Sequence, residues 1–212
     1  MKEAIAELWG LHSILKVNMD NLDLHQAHKR ILELQEEHKI SLSYLMKVLL
    51  TLNGSLTRAI QSIQPDARIS IEIKTLNQII LGPEESKFED FFYQSLDIFP
   101  NDLFNFRKVL LHASNINYVL AYSLTPIKRL KTEFKDELLR ADIPIGKLIE
   151  KYKLETFRKL NNIDLMDSNS EIEKIFNLYQ KHPIFYRMYD IVSMDKILMK
   201  IIEFFNPVLN TH

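Results

Sequence analysis

The chain predicts an α+β domain with a mainly antiparallel sheet, preceded by N-terminal helices. Three observations carry that expectation. Apolar residues recur every three to four positions over the first sixty residues; from Ile69 the period falls to two; and later apolar runs come in pairs separated by turn-forming residues. Helices followed by paired strands argue against alternating parallel units.

Ala4, Leu8, Leu11, Leu15, Met19 and Leu22 form one helical stripe, widened by Ile5 and Trp9 and interrupted only by Gly10. A second helix is expected from His25 to Glu37. Ser41 is placed to cap a third over Leu42 to Leu52, apolar enough to be buried nearly all round. The pattern breaks at Gln64-Pro65-Asp66, after which Ile69, Ile71 and Ile73 alternate with Ser70, Glu72 and Lys74, as in a half-buried strand. Gly82-Pro83 opens an acidic, aromatic stretch to Pro100, with a helix expected around Phe88 to Leu96. Leu103 to Ala113 and Tyr118 to Leu124 flank Asn115-Ile116-Asn117 and read as a hairpin. Residues 132 to 141 predict a charged helix, and Lys147 to Tyr152 another turn or two beyond Pro144-Ile145-Gly146. Leu154 to Leu160 is a short strand candidate, and Asp164 to Glu173 a loop or exposed helix start. Ser170 is a cap for a helix ending near Lys181. Ile184 to Val192 and Ile197 to Phe205 flank Ser193-Met194-Asp195-Lys196 as a second hairpin. Residues 1–40 are expected to form a helical extension and residues 41–212 the main domain.

Composition narrows the function. The 212 residues carry 27 basic and 28 acidic side chains, a net charge of -1, so no global field draws the chain to nucleic acid or an anionic membrane. Residues 1–40 hold five Lys or Arg against seven Asp or Glu, which disfavours a DNA-reading module. The absence of cysteine excludes disulfides, thiolate nucleophiles and cysteine-held metals. The charged N-terminus is unlike a secretory signal, and no run approaches the ~20 apolar residues of a membrane span, so a cytoplasmic protein is expected. His25 and His28 are three apart without a third ligand, which predicts no metal site, and His112 has no partner in sequence. Glu84-Glu85 and Lys128-Arg129-Lys131 read as solvated faces.

Four places in the chain point to chemistry. Glycine is scarce, 4 in 212, so those present suggest a backbone need. Gly54 precedes Ser55, Leu56, Thr57 and Arg58 at a helix start, and Gly146 follows Pro144 and Ile145 at another. Both places expose free amides that attract anions, unless they are ordinary turns. Glu203 shares a strand face with Met199 and Ile201; a carboxylate buried there must be paired or have a raised pKa, which suits acid/base work, unless it faces water at a sheet edge. Arg107 shares a face with Val109 and Leu111, where it either grips a carboxylate or snorkels to solvent.

Together these segments resemble one family. Leu49-Leu50-Thr51-Leu52-Asn53-Gly54-Ser55-Leu56-Thr57-Arg58, the run Arg107 to Leu111 followed by Tyr118 to Pro126, Asp142-Ile143-Pro144-Ile145-Gly146-Lys147, and Arg187-Met188-Tyr189 through Ile202-Glu203-Phe204-Phe205 are similar, in order, to motifs of the chorismate pyruvate-lyase (4-hydroxybenzoate synthase) family. The resemblance covers about residues 42–207. It implies helical flaps that enclose an internal ligand cavity on the antiparallel sheet, and elimination of pyruvate from chorismate to leave 4-hydroxybenzoate, a precursor for a quinone or phenolic lipid. It places Glu203 and Arg107 at the reacting centre and the amides of Leu56 and Ile145, beside Gly146, on the ring carboxylate. It implies no metal or organic cofactor, since aromatisation drives the reaction. The implied partner is the small-molecule substrate, with neither nucleic acid nor a membrane span.

One position departs. A second Arg present in one branch of the family is Tyr122 here, and Arg58, Arg187 and Lys200 are the candidates for the missing cation, without a choice among them. Two other functions stay open: a noncatalytic domain that binds an aromatic acid, and a lyase or isomerase for a related cyclic enolpyruvyl acid.

Overall fold

The computed structural model describes residues 21–82, 96, 99, 102–140 and 143–210. Six strands form one antiparallel sheet: β1 (Glu72–Leu81), β2 (Phe104–Ala113), β3 (Ile116–Pro126), β4 (Phe157–Asp167), β5 (Pro183–Ser193) and β6 (Lys196–Phe205). Their order is β1-β2-β3-β6-β5-β4, so two three-stranded meanders meet where β3 pairs β6. The two central hairpins close on two-residue loops: Ser114 has φ 51°, and Met194 and Asp195 have φ 49° and 58°. Both residues of the second loop thus take the left-handed conformation of a type I′ turn without a glycine.

The alternation of side chains sorts the sheet into two apolar faces. Phe104, Phe106, Leu110, Leu120, Leu124, Ile202 and Phe204 lie on one, packed with Ile172 and Phe176 of α6 (Ser170–Phe176). The other face holds two clusters. Val109, Leu111, Val119 and Phe205 pack with α1 (Leu24–His38), α2 (Tyr44–Thr51) and α3 (Leu56–Ser62). Tyr189, Ile191, Met199 and Ile201 pack with α4 (Thr132–Leu139) and α5 (Ile145–Lys151). The seam between these two clusters is where polar side chains enter the interior.

Local chemistry explains the helix ends. Asp23 and Gln26 form a reciprocal capping box on α1, whose Ala27, Ile31 and Leu34 are fully buried in the same cluster as α2 and α3. Ser43, two residues beyond the expected cap, receives the Met46 amide at the start of α2. Ser55 caps α3 as expected, and Pro144 is the cap of α5 rather than its first helical residue. Asn169, not Ser170, caps α6, and Asn177 at φ 56° stops that helix well before Lys181.

Two strands depart from their expected limits. β1 begins only at Glu72, with Ile69 and Ile71 in the preceding loop against the helical cluster, and a bulge between Thr75 and Asn77 shifts its register. β4 extends to Asp167 through a segment whose polarity had read as loop; as an edge strand it tolerates polar residues on its open positions. The stripe of Leu8, Leu11 and Leu15, and the expected helix around Phe88 apart from Leu96, lie outside the described residues. Among the described residues no helix is long and apolar enough to cross a membrane.

Replacing Met194-Asp195 by Asn-Gly should raise stability by about 1 kcal/mol, because glycine and asparagine relieve the left-handed strain; a higher urea midpoint checks this, and an unchanged one would show the strain to be negligible.

Candidate functional site

Cross-strand register brings the site together. Glu203 of β6 lies directly opposite Ala121 of β3 and Arg187 of β5, while Arg107 of β2 lies opposite Ser123 of β3. All face the seam between the two apolar clusters. There Arg107, Ala121, Ser123 and Glu203 line a cavity of about 70 Å³, together with Ser55, Leu56 and Thr57 from the start of α3 and Pro144, Ile145 and Gly146 from the start of α5. The Arg58 amide is taken by Ser55 Oγ and the Lys147 amide by the Pro144 carbonyl, while the first amides of a helix, here those of Leu56 and Ile145, have no intrahelical partner, so the cavity walls present donors as well as hydrocarbon. A larger groove of about 840 Å³ beside α4 and the β5–β6 turn contains none of the expected site residues.

Glu203 is 5% exposed. Its Oε2 accepts from Arg187 Nε at 2.6 Å and its Oε1 from the Tyr189 hydroxyl at 3.0 Å. The edge-strand alternative for Glu203 is therefore wrong: β6 is a central strand, and the carboxylate is paired indoors. Arg187, 1% exposed, also donates through Nη1 to the carbonyls of Leu49 and Leu52, each at 2.8 Å. These carbonyls belong to the end of α2, which has no further helical turn to satisfy them. Burial, followed by the neighbouring carboxylate of Glu203, raises Tyr189 above its ordinary value of 10.0, so it stays a hydrogen-bond donor.

Arg107 is 1% exposed and does not snorkel. Its guanidinium donates to the Ile143 carbonyl at 3.3 Å from both Nη atoms and to Thr75 Oγ1 at 3.5 Å. It thereby ties β1 and the entry to α5 to the cavity wall; Asp142, next to that entry, lies outside the described residues.

The glycines do not carry a conformational demand. No described glycine has positive φ. A Cβ on Gly54 or Gly146 would meet only ordinary contacts at 3.7 Å, with Leu52 Cδ1 and Ser55 Oγ respectively.

Three expected binding residues are placed differently from the expectation. Tyr122 borders the cavity through its main chain, but its ring lies on the opposite face, 6.0 Å from Phe106, 5.9 Å from Phe204 and beneath Lys108 Nζ. The reason is parity, since Ser123 is the β3 residue that turns toward Arg107. Arg58 is 73% exposed along its side chain and pairs with Glu150 of α5 at 2.6 Å, bridging α3 and α5 at the surface. Arg187 is interior but is committed to Glu203 and the α2 carbonyls. Lys200 also fails as the extra cation: it pairs with Asp190 at 2.6 Å, on the face with Leu124 and Ile202. Sequence reasoning passed over Tyr189 and Arg158, which both line the cavity. Their signal was available in the alternation of Arg187, Tyr189 and Ile191, and of Arg158 with Leu160. Among the described residues no group of three His, Asp or Glu side chains is placed to hold a metal ion.

The family model described as "Chorismate pyruvate-lyase Rv2949c-like" matches residues 50–212, a span that contains the whole cavity lining. The chain belongs to this family. Among relatives of the Rv2949c-like segment, "Putative lyase MJ0807" of Methanocaldococcus jannaschii is 39% identical over 107 residues, 48% of this chain and 57% of that protein. The chain thus matches little more than half of that relative's length. Solved structures similar to the Rv2949c-like fold include parts of transcriptional regulators. The effector domain of PhnF from Mycobacterium smegmatis has a TM-score of 0.56 at 12% identity, covering 72% of this chain and 88% of that domain. A GntR-family transcriptional regulator from Bacillus cereus has a TM-score of 0.51 at 14% identity, covering 65% and 92%. At such identities the likeness is one of fold.

Breaking the buried pair by Arg187→Ala should destabilise the domain by about 3–5 kcal/mol, the cost of leaving Glu203 unpaired, measured as the shift in urea unfolding. A loss under 1 kcal/mol would mean that water replaces the guanidinium, by the usual cost of an exposed pair.

Tyr189 sets an alkaline limit. Its folded pKa lies above the unfolded one, so its contribution to stability is complete below pH about 10 and is lost as pH rises beyond it, where only the unfolded chain ionises. Tyr189→Phe should flatten the decline of the unfolding midpoint between about pH 9 and pH 11; an unaltered slope would assign the decline to other groups.

Proposed function

We propose that this chain is a chorismate pyruvate-lyase that releases pyruvate and 4-hydroxybenzoate from chorismate. The observation that carries this reading is the convergence of one buried carboxylate, Glu203, and one buried guanidinium, Arg107, on a single cavity closed by the starts of α3 and α5. The family supports a lyase, and the residue types fit this elimination.

The reaction is balanced within the substrate. The ether bond between the ring and enolpyruvate breaks, the ring carbon bearing the hydroxyl loses its proton, and the ring becomes aromatic; enolpyruvate gains a proton at its methylene to become pyruvate. The protein has to orient a dianion and move one proton. Glu203 is suited to move it, since Arg187 and Tyr189 hold both carboxylate oxygens in place from behind. Arg107 and the amides of Leu56 and Ile145 are suited to the ring carboxylate.

A cavity of about 70 Å³ is smaller than ligand pockets usually are, about 300–1,000 Å³. Admission of a ring on this reading requires α3 and α5 to part, and the Arg58–Glu150 pair joins them at the surface. The same small cavity on a fold shared with effector domains also suits a noncatalytic receptor for an aromatic acid. The two differ in one product.

Purified protein mixed with chorismate should release pyruvate and 4-hydroxybenzoate in equal amounts. Glu203→Gln should lower kcat by about a hundredfold or more while 4-hydroxybenzoate still binds. Binding of 4-hydroxybenzoate without any pyruvate release would favour the receptor, and a wild-type rate in Glu203→Gln would remove Glu203 from the proton path.

A further inference from the structure

Arg158 occupies the position that the chemistry of a two-carboxylate ligand requires. It lies on β4 opposite Ile191 of β5 and lines the cavity with Tyr189, Ile201 and Glu203. Two outer grooves also reach it, so it stands where the cavity adjoins the surface. Its Cζ is 5.9 Å from the centroid of the Tyr189 ring. Its Nε is buried and has no hydrogen-bond partner, and among the described residues no carboxylate pairs with this guanidinium. Every other cation weighed for the site is engaged: Arg187 with Glu203, Lys200 with Asp190 and Arg58 with Glu150. A guanidinium taken partly out of water without an anion is costly, and an arriving carboxylate removes that cost.

Its location separates it from Arg107. The two residues stand on β4 and β2, with β5, β6 and β3 between them. Four strand spacings put their main chains about 19 Å apart, and both residues line the one cavity from opposite sides of the sheet. Arg158 is on the side of Tyr189, whose hydroxyl holds Glu203.

We propose that Arg158 is a substrate-binding residue that receives the second carboxylate of a dicarboxylate ligand, with the first held at Arg107. This rests on the lyase reading only for the ligand's name. On that reading the second carboxylate is the one on the enolpyruvyl ether, and Arg158 orients the leaving group beside Glu203.

Titration calorimetry with two unreactive acids tests the assignment. 3-(Carboxymethoxy)benzoate carries a ring carboxylate and a second one on an ether arm; 4-hydroxybenzoate carries the first alone. The wild type should bind the diacid at least about tenfold more tightly, as expected of a charge-assisted bidentate contact. Arg158→Gln should abolish that preference while changing 4-hydroxybenzoate affinity by less than about twofold, whereas Arg107→Gln should weaken both acids. Arg158→Lys, which keeps the charge without the fork, should retain part of the preference and provides the same comparison if the Gln variant unfolds. Equal binding of both acids by the wild type, or equal losses for both in the Arg158 variants, would overturn the assignment. The outcome is separable from the reaction: a diacid preference without pyruvate release defeats the lyase and leaves Arg158 in place, while pyruvate release without a diacid preference defeats Arg158 alone.

Discussion

A charged pair in a protein interior needs close partners, and one such pair organises the geometry of this chain. Arg187 sends Nε to Glu203 and Nη1 to two carbonyls at the end of α2. One planar group therefore joins the middle of the sheet to the segment that leads through Asn53 and Gly54 into α3. Orientation of the carboxylate and placement of the α3 amides are consequences of the same contact. Lysine could not substitute, because a point charge lacks the fixed fork that divides itself between an acid and two main-chain oxygens.

The sheet's two-faced burial explains why the polar groups lie where they do. On one face the clusters under α6 run continuously from β2 to β5, leaving charges such as Lys108 and Lys200 only where an acid meets them. On the other, the helices come in two groups, α1–α3 and α4–α5, that do not merge. At the seam left between them the polar side chains of Arg107, Ser123 and Glu203 enter the interior. Chemistry is thus set by a handful of residues at the seam, and the scaffold alone does not fix it.

The parts of this arrangement that obey a local period were legible in the sequence. Both hairpins follow from two-residue alternation across short polar breaks, and the shared faces of Glu203 with Ile201 and of Arg107 with Val109 follow from the same parity. Ser55 announces α3 because a capping side chain acts within three residues. Legibility ends where a decision is made across the sheet. Whether Glu203 meets water or Arg187 depends on which strand lies beside β6, and that order is a property of the whole topology. Tyr122 shows the converse: its neighbours in sequence lie by the cavity, yet one step of parity sends its ring to the other face. Arg158 falls within the short strand expected over Leu154 to Leu160, but nothing local shows that it faces the cavity, because its cross-strand neighbour Ile191 lies 33 residues away in the chain.

The strand order has a temporal side. β3 and β6 are neighbours at the centre of the sheet, yet the whole of α4, α5, β4, α6 and β5 lies between them in the chain. As the polypeptide leaves the ribosome, the first meander emerges with one long edge of β3 lacking its hydrogen-bond partner, and that edge is capped only when the last strand arrives. Nascent chains of this topology face a waiting period in which another open edge is a competing mate, so their assembly favours slow crowding and chaperone shelter over speed.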